Sequence, residues 1–213
     1  TRLADRTIWL RCGPFSSSFP PSATPAAGDG RITCAIQPNP VVADQSANSK
    51  AFGRPGASRG QSAFPQLRFV SLVENGTHVL FGTQMGPYSS GEITLAKGVL
   101  GALRKGMLCL ADRQFFGFEL WQQARATGAD LLWRIKINAR LPREQPLPDG
   151  SYLSRIYRTE GDRRHQRNAL SVRVIEYRLQ GVSDAEPIYR LLSSLLDPAQ
   201  AGREGPVGRR SGD

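Results

Sequence analysis

The chain has 213 residues, 39% of them apolar and 22% charged, with a net charge of +10 and a pI of about 10.2. That length allows one substantial core, and the charge points to a polyanionic partner, nucleic acid rather than membrane, although arginine-rich coding would leave the same imprint, since 24 of the 28 cationic residues are Arg. Cys12, Cys34 and Cys109 show no CxxC spacing, which speaks against a disulfide framework or a structural zinc centre, and no apolar run suggests a signal peptide or approaches the roughly 20 residues of a membrane span.

Residues 1–30 contain PFSSSFPPSATPAAGDG, which has no period of 2 or 3.6. They read as a poorly ordered leader with the texture of coding out of its frame. Arg31 to Ile36 (RITCAI) predicts a short strand, and residues 37–65 a long polar loop. LRFVSLVE (67–74) and THVLFGTQ (77–84) predict two strands joined by a two-residue turn at Asn75-Gly76. Ser89 or Ser90 is placed to cap a helix from Glu92 to about Arg104, stopped by Gly106. Ile93, Ala96, Leu100 and Leu103 give that helix its apolar spacing.

Met107 to Ala111 (MLCLA) is wholly apolar and fits a strand buried on both faces, with Cys109 as a buried, inert thiol. A second helix is expected over about Phe116 to Ala126, closed by Thr127-Gly128, followed by a strand from Asp130 to Ile137. Strand, helix, strand, helix, strand with short links implies a sheet with parallel members and helices on its faces. Beyond residue 138, prolines and Asp149-Gly150 break the chain into short β-prone runs at 151–157, 169–178 and 187–195. Residues 198–213 read as a disordered basic tail.

Asp112 stands just past the apolar run, where open α/β sheets carry ligands. A carboxylate there suits Mg²⁺, which takes one or two protein carboxylates and keeps several waters. From the pattern alone, capping of the next helix or pairing with Arg113 is the more ordinary explanation of an Asp at this position. Arg113 itself could contact a phosphate or pair with a carboxylate. Arg163, Arg164 and Arg167 are candidates for the DNA backbone, or a solvated loop. His78 and His165 have no legible triad or metal partner, and Trp121 and Trp133 read as core.

The run ADRQFFGFELW (111–121), preceded by LRKGMLCL, resembles the insertion-sequence transposases of the DDE class, in the IS-four-type group. ANSKAFGRPG, SAFPQLRFVSLVENGTH, GPYSSGE, GADLLWRIKINARLP, LPDGSYLSRIY and VRVIEYRL follow the family in the right order, over roughly residues 31–197. The resemblance implies an α/β fold: a ribonuclease-H-like mixed five-stranded sheet with flanking helices over residues 31–138, and a β-rich insertion over 139–197. It implies Mg²⁺ as cofactor, DNA as partner in a bacterial cytoplasm, and Asp112 as the second carboxylate of a catalytic triad. The pattern is incomplete. Gln37 stands where the first Asp belongs, Asp44 matches a loop Asp instead, and no Tyr-Arg-Glu-Lys helix with the third carboxylate occurs. Glu176, within a predicted strand, reads as structural. The resulting expectation is a fragment of a cut-and-paste transposase that is catalytically inactive, with a residual DNA-binding module or a decayed product without selected function as alternatives.

Overall fold

A computed structural model describes residues 31–36, 40–57, 60–75, 77–179 and 185–200. Expectations for residues 1–30, for Gln37 and for residues 201–213 lie outside the described residues.

Val70 to Glu74 are buried on both faces of the strand Leu67–Glu74 (β4). Two-sided burial of this kind needs pairing partners along both edges. β4 pairs antiparallel with Arg31–Ile36 (β1) on one edge and with Leu80–Pro87 (β5) on the other. β1 then pairs parallel with Leu108–Ala111 (β6), and β6 parallel with Asp130–Ile135 (β7). The five predicted strands thus lie side by side in the order β5-β4-β1-β6-β7. The sheet does not stop at five. Tyr189–Ser193 (β11) adds antiparallel to β7, followed by Leu170–Tyr177 (β10), Tyr152–Ile156 (β9) and Gln145–Pro146 (β8), for nine strands in all. The β-rich region therefore extends the first sheet, because alternation in β11 puts Leu192 beside Trp133 on the core face. A further two-stranded hairpin joins Gly56–Ala57 (β2) to Gly60–Gln61 (β3).

The core forms where Glu92–Val99 (α2) and Phe118–Ala126 (α3) cover one face of this sheet. Trp121 of α3 meets Trp133 of β7 edge to face at 5.0 Å, both side chains fully buried. Such a pair contributes about 1 kcal/mol beyond its buried area.

Several local expectations need correction. Neither Ser89 nor Ser90 caps α2; Gly91 does, without a side-chain bond. Ser90 is spent in a turn, its N–H on the Pro87 carbonyl and its own carbonyl accepting from Arg68. The helix ends near Val99, passing through a 3₁₀ turn at Leu100–Ala102, well before Gly106. Gly98 and Gly101 weaken helix here, and Leu103 must leave the helical path to reach the core. The 37–65 loop contains a helix, Ser46–Phe52 (α1), that buries nothing and so left no apolar pattern to read. Arg54 ties it down, binding Asp44, Ser49 and the carbonyls of Ser62 and Ala63.

The hairpin between β4 and β5 is longer than Asn75-Gly76 predicts. Glu74 and Val79 still bond, so residues 75–78 make the connection, with His78 at φ 60°. The reason is Glu74, whose buried carboxylate must be satisfied and captures the Thr77 N–H and hydroxyl, each at 2.6 Å. The 198–213 tail begins in a 3₁₀ turn, Pro198–Gln200. Among the described residues no helix is long and apolar enough to cross a membrane.

Candidate active site

β6 is a central parallel strand, and its last residue, Ala111, sits in register with Trp133 of β7. One step further along both strands, on the opposite face, come Asp112 and Arg134. The guanidinium Nη1 of Arg134 lies 3.8 Å from Asp112 Oδ1, and the Asp112 side chain is 46% exposed. The chain then turns, the Phe115 N–H bonding the Asp112 carbonyl at 3.0 Å while Phe115 plugs the core. α3 starts only at Phe118, so Asp112 does not cap it. Nor does Asp112 pair with Arg113, whose Nη1 reaches Glu186 Oε1 at 2.7 Å.

Glu186 holds the group together. Its Oε1 also accepts from Arg134 Nη2 at 2.7 Å, so one carboxylate oxygen bridges two guanidiniums. The hydrogen bond from Arg134, and behind it the charges of Arg134 and Arg113, hold the Glu186 carboxyl below the usual carboxylate range. Arg134 lies over the Tyr189 ring at 4.8 Å, and Tyr189 stacks on Tyr177 at 5.2 Å. The Glu186 N–H donates to the Tyr189 hydroxyl at 3.2 Å. Arg113, Lys136, Asn138 and Glu186 border an open cleft beside this cluster.

The structure thus brings Asp112 and Arg113 into one neighbourhood. Arg163, Arg164 and Arg167 belong to another, around Glu160–Arg164 (α4) and the turn after it. Arg163 donates to the Arg140 carbonyl at 2.9 Å, lies 3.5 Å from Glu160 and covers the Tyr157 ring, while Arg164 and Arg167 are exposed. Glu176 on β10 is tied to Arg190, Arg143 and the Tyr152 hydroxyl.

Sequence reasoning passed over Arg134, Glu186, Tyr177 and Tyr189. Arg134 was accessible, because alternation in DLLWRI sets it on the face opposite Trp133, next in register to Asp112. Glu186 left no signal, since only the return of β11 beside β7 delivers it.

Among the described residues the donor set around Asp112 does not suit a metal pair. Among the described residues no three His, Cys, Asp or Glu side chains converge. The cation facing Asp112 is Arg134 itself.

Three comparisons bear on this arrangement. The family model described as transposase DDE domain matches residues 2–201, which takes in the opening stretch set apart by its composition. The protein InsZ of Escherichia coli (strain K12), which carries the name of a transposase, is 27% identical over 79 residues, or 37% of this chain. The matched segment spans 26% of that relative's length. A solved structure, an endonuclease V from Bacillus subtilis, is similar at 14% identity and a TM-score of 0.30, over 83% of this chain and 71% of that one.

Proposed function

The chain belongs to the transposase DDE domain family, and from that premise we propose that it is a portion of a cut-and-paste DNA transposase whose DNA-facing edge is the carboxyl end of β6. Asp112 is read as the second carboxylate of the family's triad. The observation that carries this reading is the position of Asp112, exposed at the end of a central parallel strand. The strand order β5-β4-β1-β6-β7, three antiparallel members followed by two parallel ones, supports a ribonuclease-H-like ancestry. Arg113, with Arg163, Arg164 and Arg167, would contact the phosphate backbone, and the bacterial cytoplasm, in association with the nucleoid, would be the place of action.

In an intact relative Mg²⁺ would supply an activated nucleophile and a charge clamp on the leaving oxygen. Here Gln37 replaces the first carboxylate, and a neutral amide lacks the charge that attracts the ion. Arg134 already compensates Asp112. We therefore read these 213 residues as catalytically incomplete. Nicking of supercoiled plasmid in Mg²⁺ tests this, with Asp112→Ala as control. The expected result is background nicking by both proteins. Nicking that disappears in Asp112→Ala would overturn the incompleteness and leave the family role intact.

A second reading, a DNA-binding module without chemistry, draws on the net charge of +10 and on the exposed Arg164 and Arg167. It expects affinity that falls steeply with salt and ignores Mg²⁺.

A further inference from the structure

Two carboxylate–arginine pairs in this fold are buried braces. Arg173 is 5% exposed against Asp149, and Arg190 is 16% exposed against Glu176. The Glu186 cluster is built differently. Arg113, Arg134 and Glu186 are 44%, 29% and 36% exposed, and an open cleft adjoins them. A carboxylate oxygen at 2.7 Å from two guanidiniums occupies the geometry that a phosphate oxygen takes between paired arginines.

We propose that Arg113 and Arg134 form a binding site for one phosphodiester group of a nucleic-acid backbone, and that Glu186 is an internal anion which the nucleic acid displaces. The proposal rests on the reading above that this chain acts on DNA.

Four observations carry it. Arg134 is oriented independently of Glu186, because it lies on the Tyr189 ring and Tyr189 is itself stacked on Tyr177. Arg134 therefore keeps its place when Glu186 leaves. Displacement costs little, since solvent-exposed ion pairs are weak. Lys136 and Asn138 border the same cleft and offer further donors to an incoming backbone. Finally, Arg134 also faces Asp112, so a phosphate seated here would lie beside the candidate catalytic carboxylate. Glu186 enters from the segment leading into β11, far from Arg113 in sequence, and the contact is thus a product of the fold.

The test measures binding of a short labelled DNA duplex over a range of salt concentrations. Glu186→Gln keeps the size and removes the charge; the Glu186 backbone bond to Tyr189 is untouched. It should bind about fivefold more tightly, equivalent to about 1 kcal/mol, with a log affinity against log salt slope steeper by about 0.9, the value of one added phosphate contact. Combining Glu186→Gln with Arg134→Gln, or with the more exposed Arg113→Gln, should abolish the gain. Glu144→Gln, which frees Arg155 by the same loss of charge, should give no comparable tightening. Equal tightening by Glu144→Gln, or no change in Glu186→Gln while the wild type binds DNA, would overturn the site but not the family role. Inorganic phosphate that displaces the duplex from Glu186→Gln at matched ionic strength would overturn the nucleic-acid assignment. Absence of DNA binding in every variant at low salt would overturn both this site and the functional reading beneath it.

Discussion

Cys109 lies three residues before Asp112, yet the two side chains live in opposite environments. Asp112 is 46% exposed and faces a cation, whereas the Cys109 thiol is 1% exposed within the core. Burial pushes that thiol up to about 11, more than offsetting the pull of the neighbouring Trp133 indole. The thiolate is the reactive form, and at pH 8 it would make up only about one part in a thousand. In a Cys12→Ser, Cys34→Ser background, Cys109 should therefore resist a thiol-titrating reagent at pH 8 and react fully once the chain is unfolded in urea. Rapid native labelling would show that β6 opens readily. Alternation along one strand explains the contrast, because neighbouring residues of a β-strand face opposite sides of the sheet.

At the scale of elements, β5 shows how one glycine shapes an edge strand. Val70 pairs with Gln84 and Leu72 with Phe81, so Gly82 and Thr83 together oppose Ser71. This is a β-bulge, and Gly82 sits in it at φ 59°, the left-handed region that a Cβ disfavours. A Cβ there would also come 2.8 Å from the Ala102 Cβ of the 3₁₀ turn after α2. Gly82→Ala combines backbone strain with overpacking and should cost about 2 kcal/mol. Urea denaturation reads that loss as a lower midpoint, and an unchanged midpoint would mean that the bulge relaxes freely. The bulge also accounts for the displaced strand boundary. The turn at Asn75-Gly76 sets the return strand at Thr77–Gln84, but the Glu74–Thr77 bonds and the extra residue carry the paired stretch on to Pro87.

Over the whole molecule, the β-rich region after residue 138 shares both sheet and core with what precedes it. Tyr152, Ile156, Val172, Val174 and Leu192 pack in one cluster with Trp121, Trp133 and Leu131. Arg158 reaches back to Glu119 of α3, which also binds Lys97 of α2. A core divided this way between two stretches of chain cannot lose one half and keep the other. Equilibrium unfolding should thus be a single transition, with tryptophan fluorescence and far-UV circular dichroism tracing the same urea curve. Two separated transitions would show that residues 139–197 form an independent unit. The positive balance belongs to this scale too, since +10 over 213 residues biases every encounter toward polyanions before any particular contact forms.

What was legible in the sequence was local. The apolar run at 107–111, the strand-forming runs at 67–74 and 130–137, and the helical spacing after Glu92 each depend on residues a few positions apart, and they located strands of the sheet and set Asp112 at a strand end. Helix caps and turn lengths were less legible, because buried groups such as Glu74 and Leu103 override local preference to satisfy a bond or reach the core. The surroundings of Asp112 were decided by the tertiary structure alone. Glu186 meets Arg134 and Arg113 across 52 and 73 residues of chain, brought there when β11 pairs with β7. Charge pairing at such separations leaves no periodic trace, since what selects it is the geometry of the assembled sheet rather than the spacing of residues along a strand.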